Sequence, residues 1–130
     1  MEIRTHQRID PQFCGEATFL EPGHSRVFMT TIQRMAVDET GLVHGGFIFG
    51  LADYAAMLAV NDPNVVLGSA SVKFIKPVRV NETVTADARV SEAKGKKHVV
   101  AVQVTREEVP VFEGEFVCFV LEGHVLSPGA

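Results

Sequence analysis

The stretch LVHGGFIFGLADYAAMLAV, residues 42–60, constrains the fold more than any other part of the chain. It is apolar on every side at helical spacing, so a helix formed from it must be covered almost all round. A membrane span needs about 20 apolar residues, whereas this apolar run is shorter and carries Asp53 at its centre. Pro63 then blocks continuation of the helix. We therefore predict one long helix in the core of a cytoplasmic protein, with no membrane partner.

The rest of the chain has the composition and alternation of β-strands. Two extended segments precede the helix and meet at the turn EPGH, in which Pro22 and Gly23 suit a type II turn. Four β-branched segments follow the helix; AKGKK joins two of them as a hairpin, and REEVP joins the next two less obviously. The segments are GEATFL, SRVFMTTIQ, VVLGSASVKFIKPV, ETVTADARVSEA, KKHVVAVQVTRE and VPVFEGEFVCFVLEG. This order predicts an α+β fold in which a curved antiparallel sheet wraps around one long central helix.

The chain shows no repeat and no linker, so residues 1–130 are predicted to form a single domain. A sheet that wraps one helix leaves an edge strand and part of the helix uncovered. Pairing with a second copy covers both. We expect a homodimer at least, with a homotetramer built as a dimer of dimers as the larger alternative.

Charge and cysteine content argue against several classes of function. A formal net charge of −4 and a pI near 5.7 are unlike those of a protein that binds nucleic acid or an anionic membrane. The mixed polar N-terminus lacks the apolar segment of a secretion signal. Cys14 and Cys118 belong to no Cys-x-x-Cys pair and the five histidines are scattered, so no metal site is predicted. Two buried thiols are the preferred interpretation, with a disulfide as the alternative.

Three blocks of the sequence together resemble the hotdog-fold acyl-CoA thioesterases of the phenylacetate-pathway type. HGGFIFGLADYA resembles that family's His-Gly-Gly…Asp segment, and SVKFIKPVRVNETVTADARV resembles its strand, proline turn and next strand. GEATFLEPGHSRVFMTTIQ resembles the strands before the helix, so the likeness covers roughly residues 14–121. The resemblance implies a hotdog fold, hydrolysis of a small or medium acyl- or aryl-CoA thioester, and no cofactor beyond the coenzyme A of the substrate.

The same blocks also resemble the acyl-CoA-binding effector domain of the bacterial repressor of lipid synthesis that senses malonyl-CoA. That relative has lost catalysis and carries an asparagine at the position of Asp53 here. Its DNA-binding helix-turn-helix lies N-terminal to the hotdog unit, whereas only about a dozen residues precede Cys14. We therefore expect an enzyme with no nucleic-acid partner. A non-catalytic acyl-CoA sensor or carrier is the first alternative, and a structural dimerisation module is the second.

Thioester hydrolysis requires a polarised carbonyl and either a nucleophile or a base that activates water. Asp53 is the candidate for the nucleophile or base, because no lysine or arginine between residues 42 and 72 could pair with it. Gly45 and Gly46 are candidates for polarising the carbonyl, since N–H groups of a first helical turn have no intrahelical partner and lie at the positive end of the dipole. A structural buried acid and a closely packed helix start are the alternatives.

The spacing of these residues predicts how the site is assembled. Gly45 and Asp53 are eight positions apart, or about 12 Å along a helix, so one helix cannot present both to a single carbonyl carbon. Two copies packed antiparallel around a two-fold axis can. This agrees with the resembling family, whose active sites lie at the dimer interface.

The remaining site residues follow from the resemblance. His44 either caps the helix start or orients the carbonyl, in support of Asp53. Asp38 stands six residues before the histidine, where family members often carry Asn or Gln. An acid at this position either positions water or points away from the site. The strand SASVKF is expected to pair with the pantetheine amides through its backbone. The predicted substrate-binding residues are Asp38, Phe47, Ser69, Ala70, Ser71 and Lys73.

The acyl group and the phosphate contacts are less sharply defined by the sequence. Candidates to line an acyl pocket, each of them equally suited to the core, are Phe47, Phe49, Tyr54, Met57 and Phe74. Half of the 12 basic residues are concentrated in two segments after the helix, where they could hold the phosphates of coenzyme A or form a solvated strand face. They are Lys73, Lys76, Arg79, Lys94, Lys96 and Lys97.

Overall fold

The computed structural model describes residues 1–127 of the chain. The elements, in chain order, are α1 (Pro11–Cys14), β1 (Glu16–Glu21), β2 (His24–Thr30), a 3-10 turn (Gln33–Met35), α2 (Gly45–Val60), β3 (Val65–Phe74), β4 (Thr83–Lys94), β5 (Lys97–Arg106) and β6 (Val109–Val120). The predicted order of two strands, one long helix and four strands is confirmed. In this described part of the chain no helix is both long enough and apolar enough to cross a membrane.

All six strands join in one antiparallel sheet, with the order β1-β2-β4-β5-β6-β3. Gly23 and Gly95 turn the first two hairpins with φ of 79° and 59°, a left-handed conformation that glycine adopts without strain. The β5–β6 hairpin turns at Glu107 and Glu108, whose φ angles of 49° and 68° are also positive. Such mirror-image turns match the twist of the strands. The sheet ends at β1 on one side and at β3 on the other.

Helix α2 has a defined residue at each end. At the N-cap, His44 Nδ1 accepts a hydrogen bond of 2.7 Å from the N–H of Gly46. At the other end Asn61 has a φ of 52°, and its N–H donates to the carbonyl of Met57. This left-handed residue and the nearby Pro63 stop the helix where the sequence predicts.

The side of α2 that faces the sheet forms the core of the protein. Leu51, Ala55 and Leu58 are completely buried there, in the same cluster as the inward-facing strand residues Val84 and Val100. Burial of each leucine side chain contributes roughly 1.5–3 kcal/mol. The alanine keeps the helix axis close to the sheet.

Another side of α2 is only partly covered by its own chain, through contacts such as that of the Phe49 ring with Phe116 at 5.4 Å between centroids. Gly46 and Gly50 are four positions apart, and so are Phe49 and Asp53, so the four residues share one side of the helix. None of them is fully buried. A Cβ atom built on Gly50 would meet no heavy atom within 4 Å. These four residues are called the open stripe below. The sheet therefore covers the helix only in part, as expected of a sheet that wraps one helix.

Strand β3 lies beside this open side of the molecule. Its register opposite β6 pairs Ala70 with Phe116, and Phe74 with Phe112. Both phenylalanines of β6 are completely buried, so this set of β3 side chains faces the helix side of the sheet. Phe74 nevertheless remains 57% exposed. The edge strand thus adds apolar surface next to the open stripe.

Candidate functional site

Asp53 lies in the middle of the open stripe and has an unusual environment. Its Oδ1 is the single buried side-chain oxygen or nitrogen in residues 1–127 that lacks a hydrogen-bond partner. Burial raises the pKa of the Asp53 carboxyl from 3.8 to about 6, because a low-dielectric environment disfavours the charged form. A carboxylate without partners costs free energy in the fold. Its retention at this position is typical of a functional group.

A cavity of about 400 Å³ opens beside Asp53. Side chains of Met57, Val65 and Leu67 give it apolar walls, and the other lining residues come from the N-terminus, from the loop after α2, from strand β3 and from the segment after β6. These other residues are Thr5, His6, Pro63, Asn64, Val66, His124 and Val125. Asp53 is therefore accessible to a molecule of moderate size.

Both cysteines lie close enough to Asp53 to respond to its charge. Both are free thiols, as the preferred prediction has them, but only Cys118 is buried and Cys14 is half-buried. Desolvation raises the pKa of the Cys118 thiol to about 12, with a smaller contribution from the negative charge of Asp53. The pKa of Cys14 is also raised, first by burial. Both groups therefore remain protonated at neutral pH.

The first turn of α2 offers one free backbone donor where the sequence suggests two. The N–H of Gly46 donates to His44 Nδ1, so it is already engaged within its own chain. The N–H of Gly45, at the first helical position, has no intrahelical acceptor. Gly45 borders a second cavity, of about 330 Å³, together with Phe74 and Pro77. The expectation of two free N–H groups is thus revised to Gly45, with Gly46 and His44 forming the cap.

The two halves of the predicted site do not meet within one chain. Gly45 and Asp53 border different cavities and stand eight residues apart on one helix, about 12 Å at 1.5 Å per residue. In a single chain, the candidate acid and the candidate carbonyl-polarising N–H group therefore lie at separate places.

Two predicted substrate-binding residues have local roles in this structure. Asp38 accepts hydrogen bonds from the Thr40 N–H at 2.9 Å and from the Thr40 hydroxyl at 2.6 Å. These bonds lower the pKa of the Asp38 carboxyl and stabilise the loop before α2. Phe47 is half-buried and packs against Phe13 with 5.9 Å between ring centroids. In one chain neither residue borders the cavity of Asp53.

The predicted residues of β3 divide between the two faces of the sheet. Ser69, Ser71 and Lys73 alternate with Ala70, so their side chains lie on the face opposite to α2. Ser71 and Lys73 border an open cavity of about 490 Å³ on that outer face, together with Asp87 and Arg89. As an edge strand, β3 has one row of backbone groups without a sheet partner, which leaves the predicted backbone pairing with pantetheine feasible.

The six clustered basic residues do not form one patch in a single chain. Lys73 and Lys76 lie near the end of β3 that pairs with Phe112, whereas Lys97 pairs with Phe119 near the opposite end of the sheet. Most of a strand length, roughly 25 Å, separates the two groups. Their assignment to the phosphates of coenzyme A stays a prediction.

Sequence reasoning missed the histidines that border the Asp53 cavity. His6 and His124 lie 47 residues before and 71 residues after Asp53, and both border its cavity. No motif or periodicity connects these positions. The one local signal is Asn61, whose position between the helix and Pro63 suggests a left-handed cap, and whose side chain holds the N-terminal segment in place.

A comparison with known protein families shows which family the chain belongs to. The profile described as "Thioesterase superfamily" matches residues 40–113, which include α2 and most of the sheet. The chain belongs to the thioesterase superfamily. The predicted hotdog fold is thereby confirmed, and so is the predicted resemblance to hotdog thioesterases.

Individual relatives of this thioesterase-superfamily chain carry different names. The crystal structure of protein PH1136 from Pyrococcus horikoshii is 54% identical, with a TM-score of 0.97 over 98% of both chains. A protein of Aquifex aeolicus named methylthioribose-1-phosphate isomerase is 53% identical over 89% of this chain. Transcription factor FapR of Caldanaerobacter subterraneus is 30% identical over 87% of this chain. The chain spans 25% of the length of the first curated relative and 57% of the second.

Proposed function

We propose that the protein is an acyl-CoA thioesterase whose active site is shared between two copies of the chain. The observation that carries the proposal is Asp53, a desolvated carboxyl with an unpartnered oxygen on the partly covered side of α2. A thioesterase-superfamily fold provides the class of substrate, and the acid provides the reactive group. Structural acids of this degree of burial normally have hydrogen-bond partners.

The open stripe supports a particular arrangement of the two copies. The midpoint between Gly45 and Asp53 is Phe49, next to Gly50. In an antiparallel pair of helices with the two-fold axis near this midpoint, Asp53 of one copy lies opposite Gly45 of the other. Gly50, which has empty space over its Cα, allows the helices to approach closely. Edge strand β3 lies on the same side and can extend the pairing.

The chemistry follows from these two groups. The N–H of Gly45 in the partner subunit donates to the thioester oxygen, and the helix dipole adds positive potential there as negative charge develops. The Asp53 carboxylate removes a proton from water, and the resulting hydroxide attacks the carbonyl carbon. Collapse of the tetrahedral intermediate breaks the carbon–sulfur bond, releasing the free acid and the coenzyme A thiolate. The thiolate then takes the proton from Asp53, which restores the carboxylate.

A nucleophilic role for Asp53 is the alternative within the same reaction. Its carboxylate would then attack the carbonyl carbon and expel the thiolate, and water would hydrolyse the resulting anhydride. A single turnover in water labelled with oxygen-18 distinguishes the two routes. Label in the Asp53 carboxyl shows that water opened an anhydride at the Asp53 carbonyl carbon, a step that the general-base route does not contain.

The test of the proposed function is a panel of acyl- and aryl-CoA thioesters with the wild type and with Asp53→Asn. We expect turnover of at least one thioester and a loss of 10²- to 10⁴-fold in kcat in the variant. The variant should remain folded, because an amide of the same shape replaces an acid that has an unpartnered oxygen. A wild type that hydrolyses no member of a broad panel would refute the proposal.

The second candidate function is non-catalytic binding of an acyl-CoA. It is favoured by the 30% identity to transcription factor FapR over 87% of the chain. This function predicts saturable binding of a thioester in calorimetry, with the thioester recovered intact after prolonged incubation. The unpartnered oxygen of Asp53 favours the enzyme, because a binding protein gains nothing from a desolvated acid.

A further inference from the structure

The N-terminal segment, residues 1–9, is hydrogen-bonded to the end of α2 through the side chain of Asn61. Asn61 Oδ1 accepts a hydrogen bond of 2.8 Å from the N–H of Arg4, and Asn61 Nδ2 donates one of 2.8 Å to the carbonyl of Glu2. Asn61 is only 5% exposed, so its amide satisfies two backbone groups away from water. We call residues 1–9 the N-terminal arm. The helix terminus thus fixes the path of the arm.

This attachment places Thr5 and His6 at the Asp53 cavity. Thr5 is 5% exposed, and its hydroxyl lies 2.8 Å from His6 Nδ1. His6 has a φ of 53°, a left-handed conformation that is uncommon for residues other than glycine. Its ring lies 6.4 Å from that of Tyr54, measured between centroids. Contacts on several sides therefore hold the imidazole at the wall of the cavity.

The lining of the cavity defines which acyl groups suit it. Its apolar walls are accompanied by four residues whose side chains form hydrogen bonds, Thr5, His6, Asn64 and His124. Burial lowers the pKa of His6, so its imidazole is neutral at pH 7. Among the described lining residues there is no lysine or arginine to pair with an anion, and Asp53 supplies a negative charge. A volume of about 400 Å³ equals roughly a dozen water-sized groups of 30 Å³.

We propose that the N-terminal arm forms one wall of the acyl subsite beside Asp53. In this subsite His6 is the specificity-determining residue, which favours short, neutral acyl groups with a hydroxyl or keto oxygen over long or anionic ones. The inference rests on the proposed thioesterase function, because it assigns the distal part of the acyl group to the cavity of the catalytic acid. Hydroxyl and keto groups are treated together because each can form a hydrogen bond with a neutral imidazole.

The experiment compares four thioesters of coenzyme A: butanoyl, 3-hydroxybutanoyl, succinyl and decanoyl. In the wild type we expect kcat/KM to be highest for 3-hydroxybutanoyl-CoA and at least tenfold lower for succinyl-CoA and decanoyl-CoA. His6→Ala should lose tenfold or more with 3-hydroxybutanoyl-CoA and less than threefold with butanoyl-CoA. Gln7→Ala is the matched control, since Gln7 is an exposed residue of the arm that does not border this cavity. Equal effects of His6→Ala on all four thioesters would overturn the proposal.

A second variant tests the wall without touching its lining. Asn61→Gly keeps a residue that favours the left-handed cap and removes the amide that holds the arm. We expect at least a fivefold gain in kcat/KM for decanoyl-CoA, and a fall of the apparent acid pKa in the pH profile, because water reaches Asp53. The titratable groups that face Asp53 are His6, His124, Cys14 and Cys118. An unchanged chain-length preference and an unchanged pH profile would contradict the assignment of the arm.

Binding measurements separate this inference from the proposed function. The same four thioesters are titrated by calorimetry into Asp53→Asn, alone and combined with His6→Ala. A tenfold weaker dissociation constant for 3-hydroxybutanoyl-CoA after the His6 substitution supports the subsite whether or not the wild type hydrolyses thioesters. Absence of turnover in the wild type with this binding preference intact would refute only the thioesterase. Turnover without any effect of His6 on binding would refute only the subsite.

Discussion

The two sides of helix α2 differ in what surrounds them. On the sheet side, Leu51, Ala55 and Leu58 are completely buried among side chains of the same chain. On the open stripe, Gly50 has no neighbour over its Cα, and Asp53 has a buried oxygen without a partner. One side of the helix is therefore fully packed within the chain, whereas the other side is not.

This difference separates the residues that stabilise the fold from those that we assign to function. Apolar burial on the sheet side contributes free energy of folding within a single chain. The open stripe contributes little to the free energy of folding of one chain. The desolvated Asp53 reduces that free energy at any pH at which its carboxyl is ionised. In the proposed dimer a second helix covers the stripe, and the partner subunit supplies the other half of the site. Substitutions on the stripe should therefore affect assembly and activity far more than folding.

The largest expected effect is produced by Gly50→Arg. Nothing in the chain obstructs a side chain at this position, and arginine favours a helix by roughly 1 kcal/mol relative to glycine. At the proposed two-fold axis, however, two arginines would meet with like charges. We expect monomers in analytical ultracentrifugation, a normal circular dichroism spectrum and activity below about 1% of wild type. Gly50→Ala, which adds only a methyl group, should keep both the dimer and most of the activity. A fully active Gly50→Arg dimer would show that the two-fold axis does not pass near Gly50.

A narrower effect is expected from the free donor at the start of the helix, because its loss should lower kcat and leave the dimer intact. Gly45→Pro removes the unpaired N–H at the first helical position, where proline is well tolerated. His44, the residue before it, has a φ of −62° and a ψ of 128°, which suits a residue that precedes proline. We expect a loss of 10²- to 10³-fold in kcat, the usual effect of removing one oxyanion donor.

The control for this variant is Gly45→Ala, which keeps the N–H. A Cβ atom at Gly45 would lie 3.0 Å from Phe74 Cε1 in both variants, so any cost of that contact is shared. Equal activities of the proline and alanine variants would show that the Gly45 N–H has no part in the reaction.

The smallest effect concerns the pH dependence of stability. The pKa of Asp53 is raised from 3.8 to about 6 by burial, so the folded state binds more protons than the unfolded state between these values. The free energy of unfolding should therefore fall as the pH rises from about 4 to about 6, by roughly 3 kcal/mol at most. Urea unfolding at several pH values measures this slope, and Asp53→Asn should remove it. A wild-type slope equal to that of the variant would mean that Asp53 titrates normally.

Much of the fold can be predicted from the sequence, because its signals are local. The apolar run, Pro63 and the alternation of the strands define α2 and β3 to β6 within a few residues. The hairpin at Glu107 and Glu108 is different, since two positive φ angles there are imposed by the pairing of β5 with β6 rather than by a glycine. Tertiary pairing in this case overrides the local preference of the residues.

The candidate site was less predictable, because its contacts connect distant positions. In the sequence, Asp53 is conspicuous as an acid within an apolar helix, and Gly45 and Gly46 are conspicuous as two glycines at its start. The hydrogen bond from the Gly46 N–H to His44 Nδ1 depends on one rotamer of the imidazole, so sequence alone could not show which glycine keeps a free donor. His6 lies at the cavity because Asn61 holds the N-terminal arm in place. Its contact with Tyr54 joins residues 48 positions apart, a distance at which sequence periodicity gives no signal.

The shared site is tested most directly by mixing two inactive variants, Asp53→Asn and Gly45→Pro. A mixed dimer contains one site with both lesions and one site with neither. Random exchange of subunits makes about half of the dimers mixed, each with one good site of two, so activity should return to about a quarter of the wild-type value. Native mass spectrometry confirms the mixed dimers. No recovery despite mixed dimers would place both groups in the site of a single chain and contradict the account.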